Sequence, residues 1–309
     1  MWPLVRTRST AWTPAPRTEV DADLAERVDR LAGLVAGART VVLTGAGLST
    51  HSGIPDYRGP DSPARTPMTF QQFAADPGYR RHYWARNHLG WRHMEAARPN
   101  AAHRLLAEWE RRGIVSGVVT QNVDLLHLKA GSRRVVDLHG TYGVVVCLDC
   151  GARRSRWELH ERLTALNPGF VERVASRGPV EVAPDADAVL EETADFVVAD
   201  CEVCGGVLKP DIVYFGENVP AARVAEAERM VDEASLVLAV GTSLTVQSGF
   251  RFVRRAVAAG TPVAVVNRGL TRAHGLATLT VDGDCVEVLT GVERRLAAAG
   301  PGARVTMGA

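Results

Sequence analysis

Four of the five cysteines fall in two Cys-x-x-Cys pairs, Cys147/Cys150 and Cys201/Cys204, the second followed by Gly205-Gly206. Two such knuckles supply four thiolates at the spacing of a closed tetrahedral zinc shell. A shell made wholly of protein sulfur leaves no open position for water, which makes the one metal ion structural and not catalytic. The 50 residues between the pairs exceed the usual spacing of about 15 to 20, but an insertion between knuckles leaves their geometry intact. In a chain of 309 residues this usage argues against a disulfide framework and for a reducing compartment. Cys285, alone in Asp282-Gly283-Asp284-Cys285, reads by default as a buried free thiol.

A second kind of chemistry starts at Gly45-Ala46-Gly47-Leu48-Ser49-Thr50. Glycines directly after a strand let the backbone approach a pyrophosphate, whose charge the N–H groups then neutralise. The third glycine of the dinucleotide fingerprint is Thr50, and no acidic strand end follows about 20 residues on, which disfavours a hydride-transferring dehydrogenase. By itself the motif also fits an ordinary tight turn. Gly53-Ile54-Pro55-Asp56-Tyr57-Arg58-Gly59 stands where a first helix would otherwise continue, and reads as a loop covering a cofactor or as a solvated loop. Thr120-Gln121-Asn122-Val123-Asp124 ends a strand, where amide and carboxylate groups can bind ribose hydroxyls and a carboxamide. His139-Gly140 ends the short run Val135 to Leu138, a place suited to a general base near neutral pH. Taken singly, each of these residues also has a plain structural reading.

The elements that must hold these residues follow from the hydrophobic pattern. Leu24, Val28, Leu31 and Val35 recur at helical spacing across Ala22 to Val35, and Gly37 supplies the stop. Thr40 to Thr44, Val115 to Thr120, Leu236 to Val240 and Pro262 to Val266 are short apolar, largely β-branched runs. They alternate with helical stretches such as Ala101 to Arg111 and Phe250 to Ala259. That alternation predicts an α/β, doubly wound, Rossmann-like domain with a parallel sheet covered on both faces. Its expected segments are residues 21–59, 100–146 and 207–309. A helical insertion rich in aromatic and arginine residues is expected over 60–99, and a smaller zinc-binding module over 147–206. Seven acidic and no basic residues between Val180 and Asp200 predict a solvated, loop-rich stretch inside that module.

Composition narrows the class. An apolar fraction of 46% with 23% charged residues allows a sizeable core. A formal net charge of +1 leaves no surplus for holding nucleic acid directly. No run reaches the roughly 18 apolar residues of a membrane span, so no membrane partner is expected. Residues 1–20 hold three arginines and three prolines and read as a loose N-terminal tail, with a transit peptide as the other reading. Basic residues are almost all arginine, with only Lys129 and Lys209 as lysines, a bias pointing to a bacterial source. The expected location is the cytoplasm, or the mitochondrial matrix for a eukaryotic source, and a monomer is favoured.

Taken together and in order, GAGLS, GIPDYRG, TQNVDLLH, HG, the two cysteine pairs, LKPDIVYFGE (Leu208 to Glu217), GTSL (Gly241 to Leu244) and VVN (Val265 to Asn267) resemble the sirtuin family of NAD-dependent protein deacylases. YWARN (Tyr83 to Asn87), LKAGSRR (Leu128 to Arg134), CLDCG (Cys147 to Gly151) and APDAD (Ala183 to Asp187) look most like its class II branch, which includes mitochondrial sirtuin 4. The resemblance implies that Gly45, Ala46, Gly47, Ser49, Asp56, Tyr57 and Arg58 hold NAD, and that Gln121, Asn122 and Asp124 contact its ribose and nicotinamide. Gly241, Thr242, Ser243, Asn267 and Cys285 would line the rest of the groove. Val213, Tyr214, Phe215 and Gly216 would add a strand to a substrate peptide, with main-chain hydrogen bonds supplying affinity.

The reaction that the family implies begins when the acyl oxygen of an acylated protein lysine attacks C1′ of the nicotinamide ribose, releasing nicotinamide and leaving an alkylimidate. His139, with Asn122 beside it among the catalytic residues, would then activate a ribose hydroxyl, giving free lysine and O-acyl-ADP-ribose. The loop around Tyr57 would exclude water. The other readings are a protein ADP-ribosyltransferase on the same fold and a non-enzymatic NAD sensor, against which His139, Asn122 and Asp124 count. Tyr83 and Arg86, three apart on an expected helix, match a Tyr-x-x-Arg pair that binds the acyl carboxylate in the succinyl-preferring sirtuin branch. A guanidinium and a phenol suit a carboxylate, although a structural ion pair is the favoured reading of Arg86, because paired surface charges are common.

Overall fold

The computed structural model describes residues 5–6, 22–56, 68–176, 180–181, 190 and 193–299. Most of the expected N-terminal tail, Tyr57, Arg58 and the APDAD segment lie outside those residues. Strand β1 (Val5–Arg6) pairs in parallel with β7 (Val180–Glu181).

Helix α1 (Ala22–Val35) buries Val28, Leu31 and Val35, as its spacing predicts, and leads into β2 (Thr40–Thr44), buried at every position. Two single 3-10 turns over 46–48 and 50–52 follow. Next come α2 (Phe70–Ala75) and α3 (Pro77–Ala96). Thr69 caps α2 through a reciprocal box with Gln72, and Asp76 caps α3, where Pro77 takes the first position that tolerates proline. Asn100 caps α4 (Ala101–Arg111), which delivers the chain to β3 (Val115–Thr120). The one-turn α5 (Leu126–Ala130), β4 (Val135–Asp137) and the long β5 (Gly140–Cys147) follow.

Beyond Cys147 lie β6 (Arg153–Ser155), α6 (Arg156–Leu166) and α7 (Phe170–Ala175). The chain returns along β8 (Leu208–Ile212) to α8 (Ala221–Asp232), β9 (Leu236–Val240), α9 (Gln247–Ala258), β10 (Val263–Asn267), β11 (Leu279–Asp282) and α10 (Cys285–Ala299).

Six strands form one parallel sheet in the order β11-β10-β9-β2-β3-β4. The chain runs outward one way from β2 and then outward the other way from β9, so the order reverses between those two neighbours. At such a switch point the loops leaving the strand ends part and open a crevice for a ligand. One face of the sheet is covered by α1, α4 and α10, whose Leu31, Trp109 and Val288 share a core with Val42 and Leu238. The other face is covered by α8 and α9 through Met230, Phe252 and Val253, against Val41 and Val237. The expected doubly wound α/β fold is what forms.

A second, three-stranded sheet has the order β6-β5-β8, with β5 antiparallel to both neighbours. The helical insertion and the cysteine module do not have separate cores. Trp84 and Leu89 of α3, Leu159 and Leu163 of α6, Phe170 of α7, Phe196 and Tyr142 of β5 form one buried cluster.

Candidate active site

The loops leaving β2 and β9 touch directly. Gly47 N donates to Gly241 O at 2.9 Å, and a side chain on Gly47 would lie 2.9 Å from that same oxygen. The approach requires glycine, and it ties the turn to the β9 loop, with Gly45 N donating to Val240 O at 3.3 Å and Leu48 N to Gly45 O at 3.0 Å. From the next strand, Gln121 Nε2 donates to Thr242 Oγ1 at 2.8 Å, and Asn122 Nδ2 donates to Gly45 O and Ser49 Oγ, both at 3.0 Å. Ser49 in turn donates to Asp124 Oδ2 at 2.6 Å, while Asp124 Oδ1 accepts from Leu126 N at 2.9 Å. Burial pushes the Asp124 carboxyl up, and these hydrogen bonds oppose that rise.

The amide and carboxylate read from the sequence as ribose and carboxamide ligands are therefore held on a fixed floor. Among the described residues only Leu125 (φ 64°) and Leu244 (φ 55°) are non-glycines with left-handed backbones. One follows Asp124 and the other follows Gly241-Thr242-Ser243, so the local strain sits at the floor of the crevice.

His139 stands at the start of β5. Its Nδ1 lies 3.1 Å from Gln121 O; a carbonyl only accepts, so Nδ1 carries the proton and Nε2 keeps its lone pair. Burial holds its pKa down at about 4; the Gln121 carbonyl pulls it up and Arg223 pushes it down. At neutral pH the ring is an uncharged acceptor. The following Gly140 has φ 83°, and a Cβ there would meet Asp211 O at 1.9 Å, so only glycine lets β5 cross so close to β8. That crossing brings Val213 N to 2.8 Å from His139 O.

The segment 213–216 is tied at its back: Phe70 N donates to Phe215 O at 2.9 Å, and Tyr214 N donates to Glu217 Oε2 at 2.9 Å. Lys209, buried inside β8, brackets the segment through Ile212 O and through Glu217 at 3.1 Å. Burial lowers its pKa and Glu217 opposes the change.

The β2 turn, the polar residues after β3, His139 and residues 213–216 open on one cavity of about 910 Å³. Gly45, Ala46, Gly47, Ser49, Asp56, Gln121, Asn122, Asp124, His139, Gly241, Thr242, Ser243, Asn267 and Cys285 line it, and so do Val213, Tyr214, Phe215, Gly216 and Tyr83. Cys285 is buried, and burial pushes its thiol up to about 12, so it is a packing group and not a nucleophile. Arg86 lies outside the lining. Its Nη1 donates to His82 Nε2 at 2.9 Å, and His82 Nδ1 donates to Thr193 Oγ1 at 2.9 Å.

Residues not singled out from the sequence also line the cavity, among them Val246, Ser248, Arg251 and Arg268. Ser248 Oγ lies 2.7 Å from Nε2 of His139. Ser248 is the second residue of α9, four residues beyond Leu244 of the Gly241 to Leu244 motif, and no apolar spacing marks it.

Cys147, Cys150, Cys201 and Cys204 converge at the far end of β5 and β8, with their four sulfurs within 4.8 Å of one another. The Cys147–Cys204 and Cys150–Cys201 separations are 3.6 and 3.8 Å. Four bonds of ~2.3 Å to a tetrahedral zinc place sulfurs about 3.8 Å apart, so the donor set fits that ion.

Comparison with known proteins agrees with this geometry. Residues 45–248 match the model of the Sir2 family. An NAD-dependent protein deacetylase 1 from Mycobacterium avium is 61% identical over 259 residues, covering 84% of this chain and 92% of its own. Another from Streptomyces coelicolor is 50% identical over 298 residues, covering 94% and 97%. A solved structure addressing the structural basis for sirtuin substrate affinity superposes with a TM-score of 0.70 at 29% identity, covering 87% of this chain and 97% of that one. A structure of Sir2 with a p53 peptide and NAD+ gives a TM-score of 0.68 at 29% identity, covering 88% and 99%. The chain belongs to the Sir2 family.

Proposed function

We infer that this protein is an NAD-dependent deacylase of protein lysines, releasing nicotinamide and O-acyl-ADP-ribose. The observation that carries the reading is one cavity in which the glycine turn, the Asn122–Ser49–Asp124 floor and a neutral His139 meet, with Val213 to Gly216 along the rim. Bound there, NAD supplies the C1′ centre and the nicotinamide leaving group. The turn from Gly45 to Gly47 and the β9 loop hold the phosphates, and Gln121, Asn122 and Asp124 orient the ribose and carboxamide. His139 takes a proton from a ribose hydroxyl at Nε2, the ring atom that its Gln121 contact leaves unprotonated. The deacetylase names of the bacterial relatives support a protein substrate.

YWARN, LKAGSRR and CLDCG support placing the chain in the class II branch. A cytoplasmic setting is part of the same reading, supported by the cysteine usage that suits a reducing compartment. No helix of the described residues is long and apolar enough to cross a membrane.

The test is a panel of peptides bearing acetyl-, longer acyl- and carboxyl-bearing lysines, with O-acyl-ADP-ribose detected by mass spectrometry. Nicotinamide release that depends on the acylated peptide and yields this product is expected. Release with an unacylated acceptor that becomes ADP-ribosylated would replace the reading with a transferase.

A further inference from the structure

The contact between Ser248 and His139 is not used by the reaction as derived above. Nδ1 of His139 carries its proton toward Gln121 O, so the 2.7 Å contact at Nε2 has Ser248 Oγ–H as donor and the imidazole lone pair as acceptor. That lone pair is the one a base must offer to its substrate. Ser248 is the second residue of α9, and the Gln121 side-chain amide packs against the next residue, Gly249, where a Cβ would lie 2.5 Å from Gln121 Oε1. Gln121 thus holds the ring through its carbonyl and packs against α9 through its side chain, so base and hydroxyl both adjoin one residue.

We propose that Ser248 is a positioning residue for the base: in the free enzyme its hydroxyl caps Nε2 of His139, fixes the ring plane and keeps it neutral, and it yields the lone pair when a ribose hydroxyl arrives. No bond forms or breaks in this exchange; one hydrogen-bond donor replaces another. The physical sign is definite. A donor aimed at Nε2 stabilises only the neutral ring, since protonated imidazole has no acceptor there. Loss of Ser248 therefore raises the affinity of His139 for a proton and frees the ring to turn. The charged group acting on the ring is Arg223 of α8, itself paired with Asp211 of β8 at 2.7 Å and acting on Asp137 of β4; Glu228 of α8 and Arg251 of α9 share the cavity lining, and the substitution alters none of them.

The proposal rests on His139 acting as the base, and the experiment separates the two claims. Full-length wild type, Ser248→Ala, Ser248→Thr and His139→Ala are compared in deacylation and in nicotinamide–NAD exchange with an acetylated peptide. The His139 titration is followed by NMR on imidazole-labelled protein, with His139→Ala assigning the signal. Exchange reports the step before the base is needed. Ser248→Ala is expected to raise the His139 titration by about half to one pH unit, to lower deacylation about 3- to 10-fold, and to leave exchange within twofold. Ser248→Thr, which keeps the hydroxyl, should restore both. An unmoved titration, or exchange and deacylation falling together, overturns the proposal while an inactive His139→Ala leaves the base in place. Normal deacylation by His139→Ala instead overturns the assignment of the base itself. If Ser248→Ala does not fold, Ser248→Cys, a weaker donor of similar size, must give a shift of the same sign.

Discussion

Ser49 and Asp124, brought together from the loops after β2 and β3, share a 2.6 Å hydrogen bond and are 0% and 5% exposed. Ser49 also accepts from Asn122, so one hydroxyl serves both a buried carboxylate and a cavity amide. Ser49→Ala is expected to cost about 1–3 kcal/mol, the penalty for a buried acceptor losing a partner, and to move the Asp124 carboxyl further up. KM for NAD should rise because Asn122 loses one of its two anchors and keeps only Gly45 O. Urea denaturation with NAD-dependent kinetics checks this, and an unchanged midpoint and KM would count against the linkage.

His139→Ala removes the acceptor at Nε2 but none of the glycine turn. Binding of NAD should persist within a few-fold by calorimetry, while deacylation falls about 100-fold or more. Turnover within a few-fold of wild type would contradict the assignment.

Cys201→Ala leaves three thiolates for the metal and opens the shell. Zinc content measured by atomic absorption should fall from one per chain, and the protein should aggregate or unfold at a lower temperature. A stable, zinc-free variant with normal turnover would rule out the structural role.

Arg86 bridges to His82 and through it to Thr193, away from the cavity. Arg86→Met should lower acetyl- and succinyl-peptide turnover in the same proportion. A selective loss on succinyl, glutaryl or hydroxymethylglutaryl peptides would place its guanidinium at the acyl group instead.

Acid should destabilise the fold earlier than its carboxylates alone would dictate. Burial lowers the pKa of His103 to about 2 and of His127 to about 4, and both are buried under the sheet's carboxyl end. The unfolded chain binds those protons first, near pH 6.5. Stability is therefore complete above pH ~6.5 and is lost as pH falls from there toward the folded values, by up to ~1.4 kcal/mol per proton and pH unit. Denaturant midpoints should drop between pH 7.5 and 5, with a shallower slope in His103→Gln. Midpoints that stay level across that range refute the account.

The elements easiest to read from the sequence are those packed on both faces. β2, β3 and β9 begin and end where their β-branched runs do, because a fully buried strand has no polar alternation to blur its limits. α9 was read as starting at Phe250, yet it starts at Gln247. Its first residues, Gln247-Ser248-Gly249, carry no apolar stripe, and Val246 offers no capping side chain. Ser248 was hidden for that reason. α6 was not read at all, since its inner face holds Arg156 and His160. Arg156 is accommodated by Asn87 and by the rings of Trp84 and Trp91, partners that lie far away in the sequence. The glycine, amide, histidine and cysteine motifs were legible as types, but only the switch point between β2 and β9 says that they share a cavity.

The β5–β8 ribbon has a mechanical consequence. At one end Cys147 pairs with Leu208, and at the other Gly140 pairs with Ile212, the residues next to His139 and Val213. Eight residues of β5 make a beam roughly 25 Å long, clamped by the cysteine cluster at its far tip. The pairing shifts register between Gly140 and Val145, and the spacing of base and peptide strand is set on the near side of that irregularity. The cysteine cluster is thus the outer anchor of the strand pair whose inner end carries His139 and Val213, so one ribbon ties the metal-binding tip to the edge of the cleft.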